Sequence, residues 1–153
     1  MPAHKDTQHS PYQVTQLYHM VADVERYPEF LPWCRAARIL KRGNDYFDAE
    51  LVICFKHMCE TYASRVHLTP QATPGDSAEI KVELLRGPFK HLNNYWKFTP
   101  QKDGGTEIHF EVDFAFKSRI LDALIGTLFD RATMKMVNAF SERADVLYGD
   151  GAE

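Results

Sequence analysis

The sequence predicts an α+β fold: a curved antiparallel sheet of six or seven strands, closed on one face by a single long C-terminal helix, with short helices near the N-terminus. Three observations carry this. Between residues 47 and 116, apolar and polar residues alternate in runs separated by short turns, as in strands that bury one face. Across residues 118–148 the apolar spacing changes to that of a helix. The chain has 153 residues, the size of one domain, and at that size it can bury enough surface to fold without cross-links.

Each element follows from local pattern. Residues 4–9 read as a weakly patterned first strand. Ser10 and Pro11 read as an N-cap and first helical position, followed by a stripe of Val14, Leu17, Tyr18 and Val21. Asp23 is placed to cap a second short helix that reaches Tyr27. Pro28 and Pro32 limit regular structure across residues 27–34. Phe47, Ala49, Leu51 and Ile53 then alternate with Asp48, Glu50 and Val52. Met58, Tyr62, Val66 and Leu68 share one face of the next strand. Ile80, Val82 and Leu84 follow, then an aromatic-rich segment over residues 95–98. The cleanest alternation is Ile108, Phe110, Val112, Phe114 and Phe116. Gly and Pro turn signals at residues 43–45, 73–76, 87–88 and 103–105 separate these runs.

The last element is a helix from its N-cap Ser118 to a stop at Gly149. At 1.5 Å per residue it is about 45 Å long. Nothing after it can cover its apolar stripe, so it must lie across the sheet. A straight helix cannot touch a strongly curved sheet along its whole length. The gap is either packed core or an elongated apolar cavity, and periodicity does not separate the two. Residues 1–149 read as one ligand-binding domain and 150–153 as a frayed tail.

Composition narrows the function. The net charge is −3 with His neutral, against the basic excess that nucleic-acid binding usually needs; no DNA partner is expected. No apolar run approaches a membrane span of about 20 residues. The N-terminus lacks the apolar stretch of a secretory signal. The expectation is a cytoplasmic protein with at most peripheral contact at the inner face of the membrane, and with Cys34, Cys54 and Cys59 as reduced thiols. Ten Phe, seven Tyr and two Trp suit a core or a pocket for an oily ligand.

The run Val21-Ala22-Asp23-Val24-Glu25-Arg26-Tyr27-Pro28-Glu29-Phe30-Leu31-Pro32-Trp33-Cys34 resembles the signature of the coenzyme-Q-binding START-domain family, within the polyketide-cyclase and lipid-transfer superfamily. Supporting segments are Glu60-Thr61-Tyr62-Ala63-Ser64-Arg65-Val66, Gly87-Pro88-Phe89-Lys90-His91-Leu92 with Trp96-Lys97-Phe98, and Ala139-Phe140-Ser141-Glu142-Arg143-Ala144. The likeness runs in order through nearly the whole chain. It implies the helix-grip (START/Bet v 1-like) fold and a cavity for a hydrophobic ligand. In one branch that ligand is ubiquinone, carried in support of respiration. A bacterial branch comprises ribosome-associated toxins of the RatA type, and the shared signature does not separate the two.

The candidate site follows from pattern and resemblance together. Tyr27, Phe30, Leu31, Pro32 and Trp33 form a Pro-fenced aromatic segment that reads as a lid, with Phe89 facing Trp33 as a second rim. Tyr62, Ser64, Glu60, Phe110, Phe114, Leu124, Leu128, Phe129 and Met136 are the expected cavity wall. Ser64, Tyr62 or a protonated Glu60 could donate to a quinone oxygen; alternatively Glu60 forms an internal pair or turns outward. Gly126 could allow close approach of a strand or ligand. No bound cofactor beyond such a ligand is expected. Cys54-x2-His57-x-Cys59 lacks a fourth metal ligand. The chain has no P-loop, Rossmann fingerprint, G-x-S-x-G or H-E-x-x-H, so no enzymatic activity is expected; a cyclase would have only Glu60 as acid or base. For the ribosome reading, Lys41, Arg42, Lys90 and Lys97 are the candidate contacts.

Overall fold

The computed structural model describes residues 3–55 and 58–149. Its elements are β1 (Ala3–Ser10), α1 (Val14–Ala22), a 3-10 helix (Val24–Glu29), β2 (Cys34–Arg42), β3 (Tyr46–Phe55), β4 (Met58–Thr69), β5 (Ala78–Arg86), β6 (Phe89–Pro100), β7 (Thr106–Phe116) and α2 (Arg119–Tyr148). The seven strands form one antiparallel sheet in the order β1-β7-β6-β5-β4-β3-β2. Strands β2 to β7 are a meander. β1 adds beside β7, so α1 and the 3-10 helix must carry the chain from one sheet edge to the other.

Six of the strands overlap the segments expected from the sequence; β2 is the exception. Its pairing with β3 shifts register between Cys34 and Ala36 and again between Ile39 and Lys41. Each irregularity breaks the alternation by one residue, so an edge strand with this sequence shows no period of two. Further shifts at Ala63/Ser64 and Phe89/His91 sharpen the sheet's curvature.

The first helix starts later than expected. Gln13 is its N-cap, and the Gln13 N–H donates to Gln16 Oε1 at 3.0 Å. Ser10 Oγ instead accepts the Tyr12 N–H at 3.3 Å, closing a local turn. The anticipated stripe is buried: Val14, Leu17, Tyr18 and Val21, with Met20. α2 begins at Ser118, whose Oγ accepts the Leu121 N–H at 3.2 Å. Its far end is tied to α1 by the Tyr148 hydroxyl, which donates to the Gln16 carbonyl at 2.9 Å.

The apolar interior has two centres. The larger joins α1 and the C-terminal part of α2 to the sheet through Leu17, Val21, Ile80, Phe98 and Phe140. The smaller gathers Phe89, Phe116 and Leu121 where α2 leaves β7. No helix of the described residues is long and apolar enough to cross a membrane. The frayed-tail reading of residues 150–153 lies outside the described residues.

Candidate ligand cavity and its mouth

Between the two packed centres the sheet and α2 stand apart, leaving a cavity of about 280 Å³. That is near the lower end of small-molecule pockets, roughly 300–1,000 Å³. On the sheet side β4 supplies Met58, Glu60, Tyr62, Ser64 and Val66, every second residue, because alternate side chains share a face. β7 supplies Phe110, Val112, Phe114 and Phe116; β6 adds Phe89, Asn94 and Trp96.

α2 lines the cavity with Leu121, Ile125, Phe129, Ala132, Met136 and Phe140. Phe129 and Met136 were expected there. Leu124 and Leu128 do not line it: each immediately precedes a lining residue, Ile125 and Phe129, and so is turned roughly 100° round the helix, onto the flank of the stripe. Gly126 is exposed, and a Cβ built on it meets nothing within 4 Å. It admits neither strand nor ligand.

Polar groups are few. Ser64 is 2% exposed. Neither its hydroxyl, nor that of Tyr62, nor the Glu60 carboxyl has a hydrogen-bond partner among the described residues. Glu60, half-buried, lines the cavity with no ion pair among the described residues. Burial pushes the Tyr62 phenol well above its usual range, so it remains a proton donor. Asn94 is already engaged: its amide donates to the Glu111 carbonyl at 2.9 Å, and its Oδ1 accepts the Trp96 indole N–H at 3.0 Å.

The mouth lies where lining residues reach solvent: half-buried Leu31, Pro32 and Trp33 on one side, and Met58, 36% exposed, on the other. Trp33 has φ +68°, the only non-glycine residue with positive φ among those described. That conformation costs roughly 1–2 kcal/mol. The Trp33 carbonyl accepts the Cys54 N–H at 2.8 Å, anchoring the segment to the end of β3.

The aromatic segment divides into two halves. Leu31, Pro32 and Trp33 line the cavity, as does Tyr27. Phe30 does not. It packs edge-on against Phe140 (centroids 5.3 Å apart) and under the Arg143 guanidinium at 5.1 Å. Tyr27 meets Phe140 at 5.5 Å, and its buried hydroxyl donates to the Val21 carbonyl. Arg143 also pairs with Glu29 at 2.7 Å. The first half of the segment is thus a clamp on α2, and the second half is cavity wall. Phe140 and Arg143 were not singled out from the sequence, although both stand in one of the segments that carried the resemblance.

Phe89 lines the cavity but is no exposed rim. It is 5% exposed and packed against the rings of Tyr62, Phe114 and Phe116. Gly87 before it has φ +146°, and a Cβ there would lie 2.5 Å from Tyr62 Cβ. Only glycine lets the chain pass that close to Tyr62.

The expectation of three free thiols fails for two of them. Cys54 and Cys59 face each other directly in the β3–β4 register and are joined in a disulfide. An odd cysteine count cannot reveal which residues a hairpin brings together. Cys34 is free and buried, with its thiol pushed up to about 11 by burial. His57 lies outside the described residues.

Residues 10–141 match the family described as polyketide cyclase / dehydrase and lipid transport, and the chain belongs to it. It is 43% identical over 134 residues to the ribosome association toxin RatA of Rickettsia prowazekii, covering 88% of this chain and 90% of that protein. It is 31% identical over 142 residues to the mitochondrial coenzyme Q-binding protein COQ10 homolog B of Xenopus laevis, covering 90% of this chain and 56% of that protein. The Zhui aromatase/cyclase from Streptomyces sp. R1128 superposes with a TM-score of 0.76, covering 98% of this chain and 97% of that one, at 16% identity. That likeness shows the START/Bet v 1-like fold alone.

Proposed function

We propose that this chain binds one uncharged, prenylated small molecule, with ubiquinone the best fit, and carries it between membrane and enzyme in support of respiration. One observation carries the reading: an apolar cavity whose few polar groups, beside Asn94 and Thr133, are the unpartnered Tyr62 and Ser64 hydroxyls and the Glu60 carboxyl. A quinone head presents carbonyl and methoxy acceptors, and two hydroxyl donors in a dry wall are suited to them. Among the described lining residues there is no Lys, Arg or His, so nothing would compensate an anionic head group. At about 280 Å³ the cavity takes the head and the first part of a prenyl chain; a longer tail would leave between Trp33 and Met58.

The molecule carries its own reporter. Its two tryptophans, Trp33 and Trp96, both line the cavity. Titration with a short-chain ubiquinone should quench their fluorescence saturably, and a prenyl phosphate of equal chain length should not compete. Absence of saturable quenching would defeat the reading.

A second reading, a ribosome-associating regulator, is favoured by the name of the 43% identical relative. It needs a surface rather than the cavity, so the two are compatible. A cyclase reading would rest on Glu60 alone as acid or base, with no other carboxylate or imidazole among the described lining residues to work beside it.

A further inference from the structure

The chain's charge is not evenly spread. On a protein of net charge −3, residues 34–42 hold four cations, Arg35, Arg38, Lys41 and Arg42, and no acid. They fall on β2, an outermost strand of the sheet. All four are exposed. From Arg35 to Arg42 the strand extends roughly 23 Å at about 3.3 Å per residue.

The neighbouring strands extend this positive edge. Arg38 pairs with Glu50 at 2.9 Å, and the same carboxylate takes Arg86 at 3.0 Å, so two guanidinium groups share one anion. Arg65 is held by Asp48 through two hydrogen bonds of 2.8 and 3.1 Å. Arg42 reaches Glu25 on the 3-10 helix at 3.6 Å. Asp45, in the β2–β3 turn, and Glu83, opposite Arg65 on β5, are the remaining nearby acids. Arg35 and Lys41 have no ion pair among the described residues; Lys41 stands 6.0 Å from the Tyr46 ring centre. Six cations therefore face five acids here, an excess on a chain that is acidic as a whole.

We infer that the β2 edge, centred on Arg35, Arg38, Lys41 and Arg42, is a docking strip for the phosphate backbone of RNA. The shared Arg38 and Arg86 guanidinium groups keep donors free for phosphate oxygens. Arg35 and Lys41 would engage phosphates without breaking any existing pair. Lys90 and Lys97 stand on β6, four strands from β2 in the sheet, so the basic positions considered from sequence do not form one strip. The inference rests on charge and exposure, stands apart from the cavity, and gives the ribosome-associating reading a location and a chemistry.

The test is co-sedimentation of the full chain with purified bacterial ribosomal subunits, alongside anisotropy with a fluorescein-labelled RNA hairpin, each over a salt series. About four phosphate contacts predict a log–log salt slope near −3. The Arg35→Glu/Lys41→Glu variant should weaken both binding signals at least tenfold and flatten the slope. Its circular dichroism spectrum and thermal melt should match wild type, which shows that it is folded. Lys90→Glu/Lys97→Glu, with the same change in net charge, should bind RNA as wild type does. The inference is overturned by absence of RNA binding in the wild type, by binding indifferent to salt, or by equal losses in the two double variants.

Discussion

Arg143 Nη2 lies 2.7 Å from Glu29 Oε1, a contact that joins the end of α2 to the mouth segment across 114 positions of sequence. The Phe30 ring lies against the same guanidinium. Hydrogen bonding from Arg143 holds the Glu29 carboxyl below its usual range. A depressed value means that the folded clamp favours the charged form. Its contribution is complete above about pH 4.5, the ordinary carboxylate value, and is lost as pH falls through the depressed one. Stopped-flow release of a bound quinone should therefore accelerate as pH falls below that ordinary carboxylate value. Arg143→Gln should release faster at neutral pH and lose that pH step. Release from the variant at the wild-type rate would show that the contact does not restrain the mouth.

On the proposed reading Tyr62 and Ser64 serve the ligand, not the fold. Neither hydroxyl has a protein partner among the described residues, so Tyr62→Phe and Ser64→Ala should leave the melting temperature nearly unchanged. Each should weaken quinone affinity by roughly five- to tenfold, about 1 kcal/mol per lost hydrogen bond. Fluorescence titration and thermal melts on the same samples check both halves.

Gly87 should tolerate no side chain. The added Cβ of Gly87→Ala would meet Tyr62 Cβ at 2.5 Å in a left-handed backbone conformation. A loss of about 2 kcal/mol or more is expected in urea denaturation. Gly126→Ala should do the opposite. Its Cβ faces open space within a helix, and a gain of about 1 kcal/mol is expected.

The cysteines give a chemical check. Without reductant the denatured chain should show one titratable thiol, and three after reduction, because Cys54 and Cys59 are paired and Cys34 is free. In the folded chain Cys34 should react slowly, since its buried thiol is held up at about 11. Rapid labelling of the folded chain at neutral pH would contradict its placement in the wall.

Much of this was legible in the sequence because burial imposes a period. The alternation of Ile108 to Phe116 and the long apolar stripe after Ser118 reflect which faces leave water, and that depends on side-chain type alone. β2 was not legible: two bulges break its alternation, and its outward residues are charged as an unpaired edge requires. The helix face was legible only to within a turn, so Leu124 and Leu128 were placed on the cavity with Phe129 and Met136. Phe30 was read as lid because an aromatic beside prolines shows nothing of its partner; Phe140 and Arg143, which hold it, lie more than a hundred residues away. The Cys54–Cys59 pair depends on strand register, which spacing does not reveal.

The central claim is that the space under α2 holds a ligand. Ala132 lines it from the helix, and Ala132→Trp would fill much of it without removing an existing contact. Native mass spectrometry of the chain purified from its host should show an added mass, identified by lipid extraction as a prenylated quinone. The Ala132→Trp variant should fold and carry none. An unloaded wild-type chain that also fails to take up added ubiquinone, or a variant loaded as fully as wild type, would contradict the account.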